Sequence, residues 1–473
     1  MIQYLNMIYT ADNRFFLRPF FFLIIWFVWF VPGNMHICHA QSLFDSDDED
    51  ILFEEEAATT LSDDEQAQNP TFPDAFLNDS TFTLGYQFSH GTDEESKIID
   101  NSFYLRLEYE TLFAQNLFFK FDGKGELHPK TDHRTNAKNK NLILNGSVRE
   151  AFFQAGYENF SLKIGNQVNV WGKADTAAIT DVVSPRDTSQ FIFTRLEDAR
   201  FGQLIISGNF YTNDTNAFIF ISPLPEIDKE PDTNSRYDRP LEGVDLFLIK
   251  PDKPEFGDLE YGLKVDKTLS KTDFSIMAGH FYSNAALYND KGYDENSKPV
   301  MEKTYPDYAM AGAALEHAWH SCLFKLELAF KNKFPLQGIN INNRYVFEKK
   351  NILDSAFGIE YNANYKYQMS FEISNRYILS NTSGLLPGTD KNSSAFYTTF
   401  TKDFLNQTLE FEYIFYYHIQ EQNQFHHFRL TYDLTDNMEI QAGYACFSAE
   451  DENNLMWLYR KEDRINFEIK YFF

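Results

Sequence analysis

Cysteine, positive charge and long apolar runs are all scarce in this 473-residue chain. Of its three cysteines only Cys322 and Cys446 lie beyond residue 40, too few for a disulfide framework, so two free thiols packed among apolar groups are expected. Lys and Arg number 42 against 69 Asp and Glu, and a net charge of −27 excludes a nucleic-acid binder. Past residue 31 no apolar run approaches the roughly 20 residues of a membrane-crossing helix, so any insertion into a bilayer has to be made by strands.

The one strong apolar run, Phe20–Val31, follows Arg14 and Arg18 and ends at Pro32-Gly33. With Cys38-His39-Ala40 as a small-residue cleavage site, residues 1–40 are expected to be a secretory signal peptide. Residues 41–78 form an acidic tail. From Gln41 to Ser96 there are sixteen acids and no Lys or Arg, and such a segment repels itself and has little to bury. We expect it to be disordered and periplasmic. The remainder, from Lys97 on, carries −12 of the total charge.

From residue 79 to 473 the chain repeats one unit, about ten residues of alternating polarity and then a polar break. The candidate strands are 81–90, 102–110, 116–127, 146–157, 160–170, 202–212, 216–222, 256–266, 272–282, 307–318, 322–331, 352–361, 366–377, 394–403, 407–418, 424–433, 437–447 and 462–473. Breaks such as Glu158-Asn159 and Trp319-His320-Ser321 alternate with long ones, among them 128–145, 171–201, 223–255, 283–306, 332–351 and 378–393. That parity is the habit of barrels with short periplasmic turns and long extracellular loops. The expected fold is therefore all-β, an antiparallel transmembrane β-barrel of 16–18 strands with both termini in the periplasm of a Gram-negative cell. In the last strand Ile465, Phe467, Ile469, Tyr471 and Phe473 share one face and Arg464, Asn466, Glu468 and Lys470 the other. A C-terminal strand ending on Phe473 resembles the signal read by the barrel-assembly machinery.

A Lys or Arg facing lipid costs about 2–4 kcal/mol at mid-membrane, so charged rows must look inward. This puts Lys120, Asp122, Lys124 and Glu126 on the lumen wall, with Phe119 and Phe121 toward outer-membrane lipid. By the same rule Lys163, Lys325, Glu327, Lys331, Glu410, Glu412 and His418 face inward. A lumen of mixed sign is expected to hold water.

The segment 171–200 holds five acids and four bases after a well-formed hairpin. In position, after the fifth strand, and in length it is similar to the loop that folds inward in general porins, a resemblance that implies a narrowed pore with Lys173, Asp175, Asp181, Arg186, Asp187 and Arg195 at the constriction and Trp171 and Phe191 as anchors against the wall. Those charges set selectivity if they face the solute and only pin the loop if they pair with one another. The expected activity is a porin-like channel for small polar or amphipathic solutes. The alternative is a plugged structural or adhesive barrel that binds partners through loops 223–255 and 283–306. His280, His317, His418 and His427 show no partner Ser at a spacing that marks a hydrolase, and neither catalysis, metal nor cofactor is expected.

The run Gly165-Asn166-Gln167 to Trp171-Gly172-Lys173-Ala174-Asp175, followed by Asp181-Val182-Val183-Ser184-Pro185-Arg186-Asp187, resembles the pattern of a family of large outer-membrane barrels, the domain of unknown function 1302, loosely akin to alginate-export porins. The resemblance implies a barrel with this loop in its lumen and a link to an inner-membrane exporter or other periplasmic partner. The mixed charge of the lumen-facing rows speaks against an alginate-like polyanion.

Overall fold

A computed structural model describes residues 76, 79–92, 97–191, 199–232, 235–238, 247–248, 252–295, 299–342, 344–363, 366–450 and 455–473. The expected signal peptide, the acidic tail apart from Phe76, and Arg195 lie outside the described residues.

Eighteen strands form one antiparallel sheet. In chain order they are β1 Ser80–Gly91, β2 Ile98–Ala114, β3 Leu117–Pro129, β4 Leu142–Tyr157, β5 Phe160–Gln167 and β6 Gln203–Tyr211. Then come β7 Thr215–Leu224, β8 Glu260–Leu269, β9 Thr272–Tyr282, β10 Asp307–Trp319, β11 Cys322–Ile339 and β12 Tyr345–Asn362. The last six are β13 Gln368–Ile378, β14 Asn392–Phe404, β15 Leu409–His418, β16 Asn423–Thr435, β17 Met438–Ser448 and β18 Arg464–Phe472. Each pairs with its neighbours in sequence, and β1 pairs with β18 from Thr83↔Phe472 to Gly91↔Arg464. That last pairing closes the barrel and leaves no edge strand.

The eighteen candidate segments correspond one to one with these strands. Two boundaries differ for a physical reason. Residues 332–351 are not a loop, because β11 runs on to Ile339 and β12 begins at Tyr345. A bulge between Lys331 and Phe334, with Lys333 at φ 55°, shifts the register and hides the continuing alternation. At β5 the ladder stops at Gln167 rather than Val170, where the chain turns into the lumen. The long loops also hold structure: 287–293 and 299–304 form a hairpin to which 247–248 adds in parallel.

The two faces separate as charge requires. Ile164, Ile206, Ile219 and Ile276 stand 45–49% exposed on the outer surface, whereas Glu327 and Lys331 are 1% and 2% exposed inside. Cys322 and Cys446 are free.

Candidate functional site

The expectation was a polar lumen of mixed sign that holds water, but an apolar patch lies on the inner wall among the charged groups of β7 to β11. Phe218, Phe220, Met277, Phe281, Tyr308, Met310, Ala314 and Ala329 point inward from β7 to β11, and the segment 171–183 covers them. Trp171 is the centre of that contact. It is 1% exposed, and its ring meets Phe220 and Phe281 edge to face at 5.6 and 5.7 Å. Two wall glycines make room. A Cβ on Gly262 would lie 2.5 Å from the Trp171 ring, and one on Gly312 would lie 2.8 Å from Thr180.

Two wall carboxylates hold the loop by its backbone. Glu327 on β11 accepts from the N–H groups of Lys173, Ala174 (2.6 Å) and Thr180 (3.2 Å), and from the Thr180 hydroxyl (3.0 Å). Glu372 on β13 accepts from the N–H of Asp175 (2.7 Å) and Ala177 (3.2 Å) and from the Thr176 hydroxyl. Alternation placed Glu327 in the lumen, but Glu372 was not singled out, and nothing local marks either as a backbone acceptor.

Of the charges expected at the constriction, the described ones, all but Arg195, are paired. Lys173 reaches Glu316 at 3.3 Å, Asp175 accepts from Lys325 at 2.6 Å, and Asp187 from Lys229 at 2.8 Å. Asp181 accepts from both Arg186 (2.8 Å) and Arg200 (2.9 Å), and so ties the two ends of the loop together. Phe191 stacks on Tyr459 at 3.9 Å, with the planes 4° apart. These groups act as the loop's fastenings. A further buried cluster, Lys331 and Arg376 on Asp354 at 2.8–2.9 Å, stiffens the wall beside it.

Open space remains on the other side of the loop. A cavity of about 170 Å³ lies against β1–β4 and β16–β18, with Asp187, Gln190, Phe201 and Lys229 as its loop-side boundary. It is lined by Arg106, Lys124, Arg134, Arg149, Lys229, Arg429 and Arg464, and by Asp100, Asp122, Glu126, Asp187 and Glu468. The expected wall residues Asp122, Lys124 and Glu126 border it, whereas the others lie on the inner face outside it. Of these, Lys120 pairs with Glu110 (3.0 Å), Glu412 with Arg429 (3.2 Å), and Lys163 lies over the Phe152 ring. Glu410 occupies the same inward row as Glu412. The seven bases outnumber the five acids here although the chain as a whole is strongly acidic.

Loops close over the outer end of this cavity. Tyr237 is buried against Ile99, Phe425, Phe447, Met456 and Tyr459, and its hydroxyl accepts from Arg464. Nearby, Asp228 accepts from the N–H of Arg186 at 2.7 Å. Burial, helped by Glu230 and Asp187 and opposed by Arg186, pushes its carboxyl from 3.8 up to about 6. Folded Asp228 therefore holds its proton more tightly than the unfolded chain does, and its contribution to stability rises as pH falls from about 6 towards 4. Between pH 7.5 and 5 the wild type should gain roughly 1 kcal/mol relative to Asp228→Asn, read from melting midpoints in detergent.

Cross-strand pairing also makes one Ser/His contact that linear spacing could not show. Ser393 Oγ lies 2.9 Å from His418 Nε2, with Glu421 Oε2 3.9 Å from Nδ1. The Glu421 backbone N–H, however, donates to Nδ1 at 3.1 Å, which puts the imidazole proton on Nε2. In that tautomer His418 donates to Ser393 and does not take its proton. Among the described residues no three His, Cys, Asp or Glu are grouped to hold a metal ion.

Wall, inward loop and lateral cavity together define an eighteen-stranded transmembrane β-barrel with a partitioned lumen. No family model matches the chain, and no curated protein matches it. Solved structures similar to it include Pseudomonas aeruginosa OccK8 (OprE), at 10% identity over 84% of this chain and 98% of that one, with a TM-score of 0.49. Acinetobacter baumannii OccAB1 follows at 10% identity, 83% and 94% coverage and 0.49. Salmonella typhi OmpF in complex with daunomycin shares 11% identity over 84% and 97%, with a TM-score of 0.41. The fold stated here rests on the strand pairing itself, whose register is closed.

Proposed function

We propose that this barrel is an outer-membrane channel for small polar solutes, which pass between the inward loop and the wall formed by β1–β4 and β16–β18. The observation that carries this reading is the one-sided lumen. The loop is seated on the apolar patch of β7–β11 and on the carboxylates beside it, and the charged wall opposite is left facing a cavity. In this reading the loop is a fixed partition, and its paired charges hold it still. Short turns at the end where both termini emerge support a periplasmic position for that end. Purified protein in a planar bilayer should give stable conductance steps, and deleting 174–190 should enlarge them; silence from both proteins would sink the channel reading.

The closed cluster around Tyr237 and Tyr459 favours a second reading, a plugged barrel that binds partners through its loops. Silence of the wild type together with current after removal of 228–238 would favour it.

Assembly by recognition of the last strand belongs to the same proposal. Phe473 is 63% exposed and its N–H donates to Phe82 O at the closing seam. Phe473→Asp should cut the heat-modifiable, folded fraction in outer membranes by about tenfold or more, and normal yield would count against that role.

A further inference from the structure

The basic excess on the cavity wall has a definite architecture. Arg106 on β2 and Lys124 on β3 are directly opposite in register, and like charges so placed repel. A bulge in β4, where Asp122 pairs with Glu150 and Gly123 with Val148, leaves Arg149 without a ladder partner and lets it face the same space as Glu150. Two of these bases hold Asp122, which accepts from Arg106 at 2.7 and 2.9 Å and from Arg149 at 3.2 Å, while Lys124 pairs with Glu126 at 3.1 Å.

The charges are layered. The side chains of Arg106, Lys124 and Arg149 are 24–28% exposed, whereas Asp122 is 2% and Glu126 16% exposed. A solute meets the cations first, with the carboxylates behind them. Glu108, the other acid on Arg106 at 3.1 Å, does not border the cavity. Arg149 also keeps a buried Nε–H with no acceptor. Two planar guanidinium groups with the Lys124 ammonium beside them suit the oxygens of a carboxylate or phosphate.

We propose that the passage is anion-preferring and that Arg106, Lys124 and Arg149 receive the carboxylate or phosphate group of a small solute. This rests on the channel reading, and it runs opposite to the selectivity that a net charge of −27 would suggest. The test is the reversal potential of the full-length protein in a bilayer under a tenfold KCl gradient. Chloride permeability should exceed that of potassium about threefold or more. Arg149→Gln should bring the ratio near one, and Asp122→Asn should raise it. Opposite shifts from two adjacent substitutions would not arise from a general loss of folding. A potassium-preferring wild type, or the same shift from both variants, would overturn the proposal while leaving the channel intact.

If the wild type carries no current, the channel reading fails, and binding decides the remainder. Titration with succinate and with inorganic phosphate should raise the melting temperature of the wild type, but not that of Arg149→Gln. A response to only one of them identifies which oxyanion the site takes, and no response to either overturns the site.

Discussion

Glu327→Ala is expected to release the 173–180 segment from the wall, to make Lys173 cleavable by trypsin and, in the channel reading, to raise conductance several-fold. The size of the effect follows from how many donors one carboxylate serves. Three backbone N–H groups and a threonine hydroxyl point at Glu327, which is 1% exposed. Left in place without their acceptor, each would cost about 1–3 kcal/mol, so the loop leaves the wall and finds water instead. Glu372, with two N–H groups and a hydroxyl, still holds residues 175–177 in the middle of this segment, so the movement is expected on either side of them, at 173–174 and around Thr180. Glu327→Gln should fall between, since its amide keeps one acceptor oxygen but sets an NH₂ against donors. Unchanged trypsin resistance in Glu327→Ala would remove the carboxylate from the account of what seats this loop.

The second large effect is expected from Trp171→Ala. Deleting a buried indole from a packed contact costs about 3–5 kcal/mol, and here the gap opens among Phe218, Phe220 and Phe281. The strands should stay paired, because the ladder of β7, β8 and β9 does not depend on the ring. The loss should therefore appear as early trypsin cleavage of the loop and noisy, larger current steps, with little change in circular dichroism. Trp171→Phe should recover most of the seating, since it refills the apolar gap and removes an indole N–H that has no acceptor in the wild type. A barrel that loses its strands together with Trp171 would show that loop and wall fold as one unit.

In the proposed reading, seating and selectivity rest on different residues, which separates the two groups of predictions. Lys173, Asp175, Asp181 and Arg186 pair with partners that hold the loop, whereas Arg106, Lys124 and Arg149, on the opposite wall and paired with Asp122 and Glu126, are the cations assigned to the solute. Net charge differs from the charge of the cavity lining. The wall carboxylates Glu327 and Glu372 are turned to the loop backbone, and the cavity is bordered by seven bases and five acids although the chain is strongly acidic.

Alternation along ten-residue segments was enough to place eighteen strands and their outward apolar rows, because side-chain direction in a strand is a local property with a period of two. Lys120, Asp122, Lys124, Lys325, Glu327 and Lys331 were assigned inward on that ground alone, and Asp122, Glu327 and Lys331 are buried. Which inward residue meets which is set by strand order and register, and these contacts join residues that are far apart in the chain. Glu372 meets Asp175 from 197 positions away, and Trp171 finds its seat on three later strands. The bulge that aims Arg149 inward, the apolar patch under the loop and the Ser393–His418 contact all depend on pairings that no short stretch contains, so only the closed barrel could decide them.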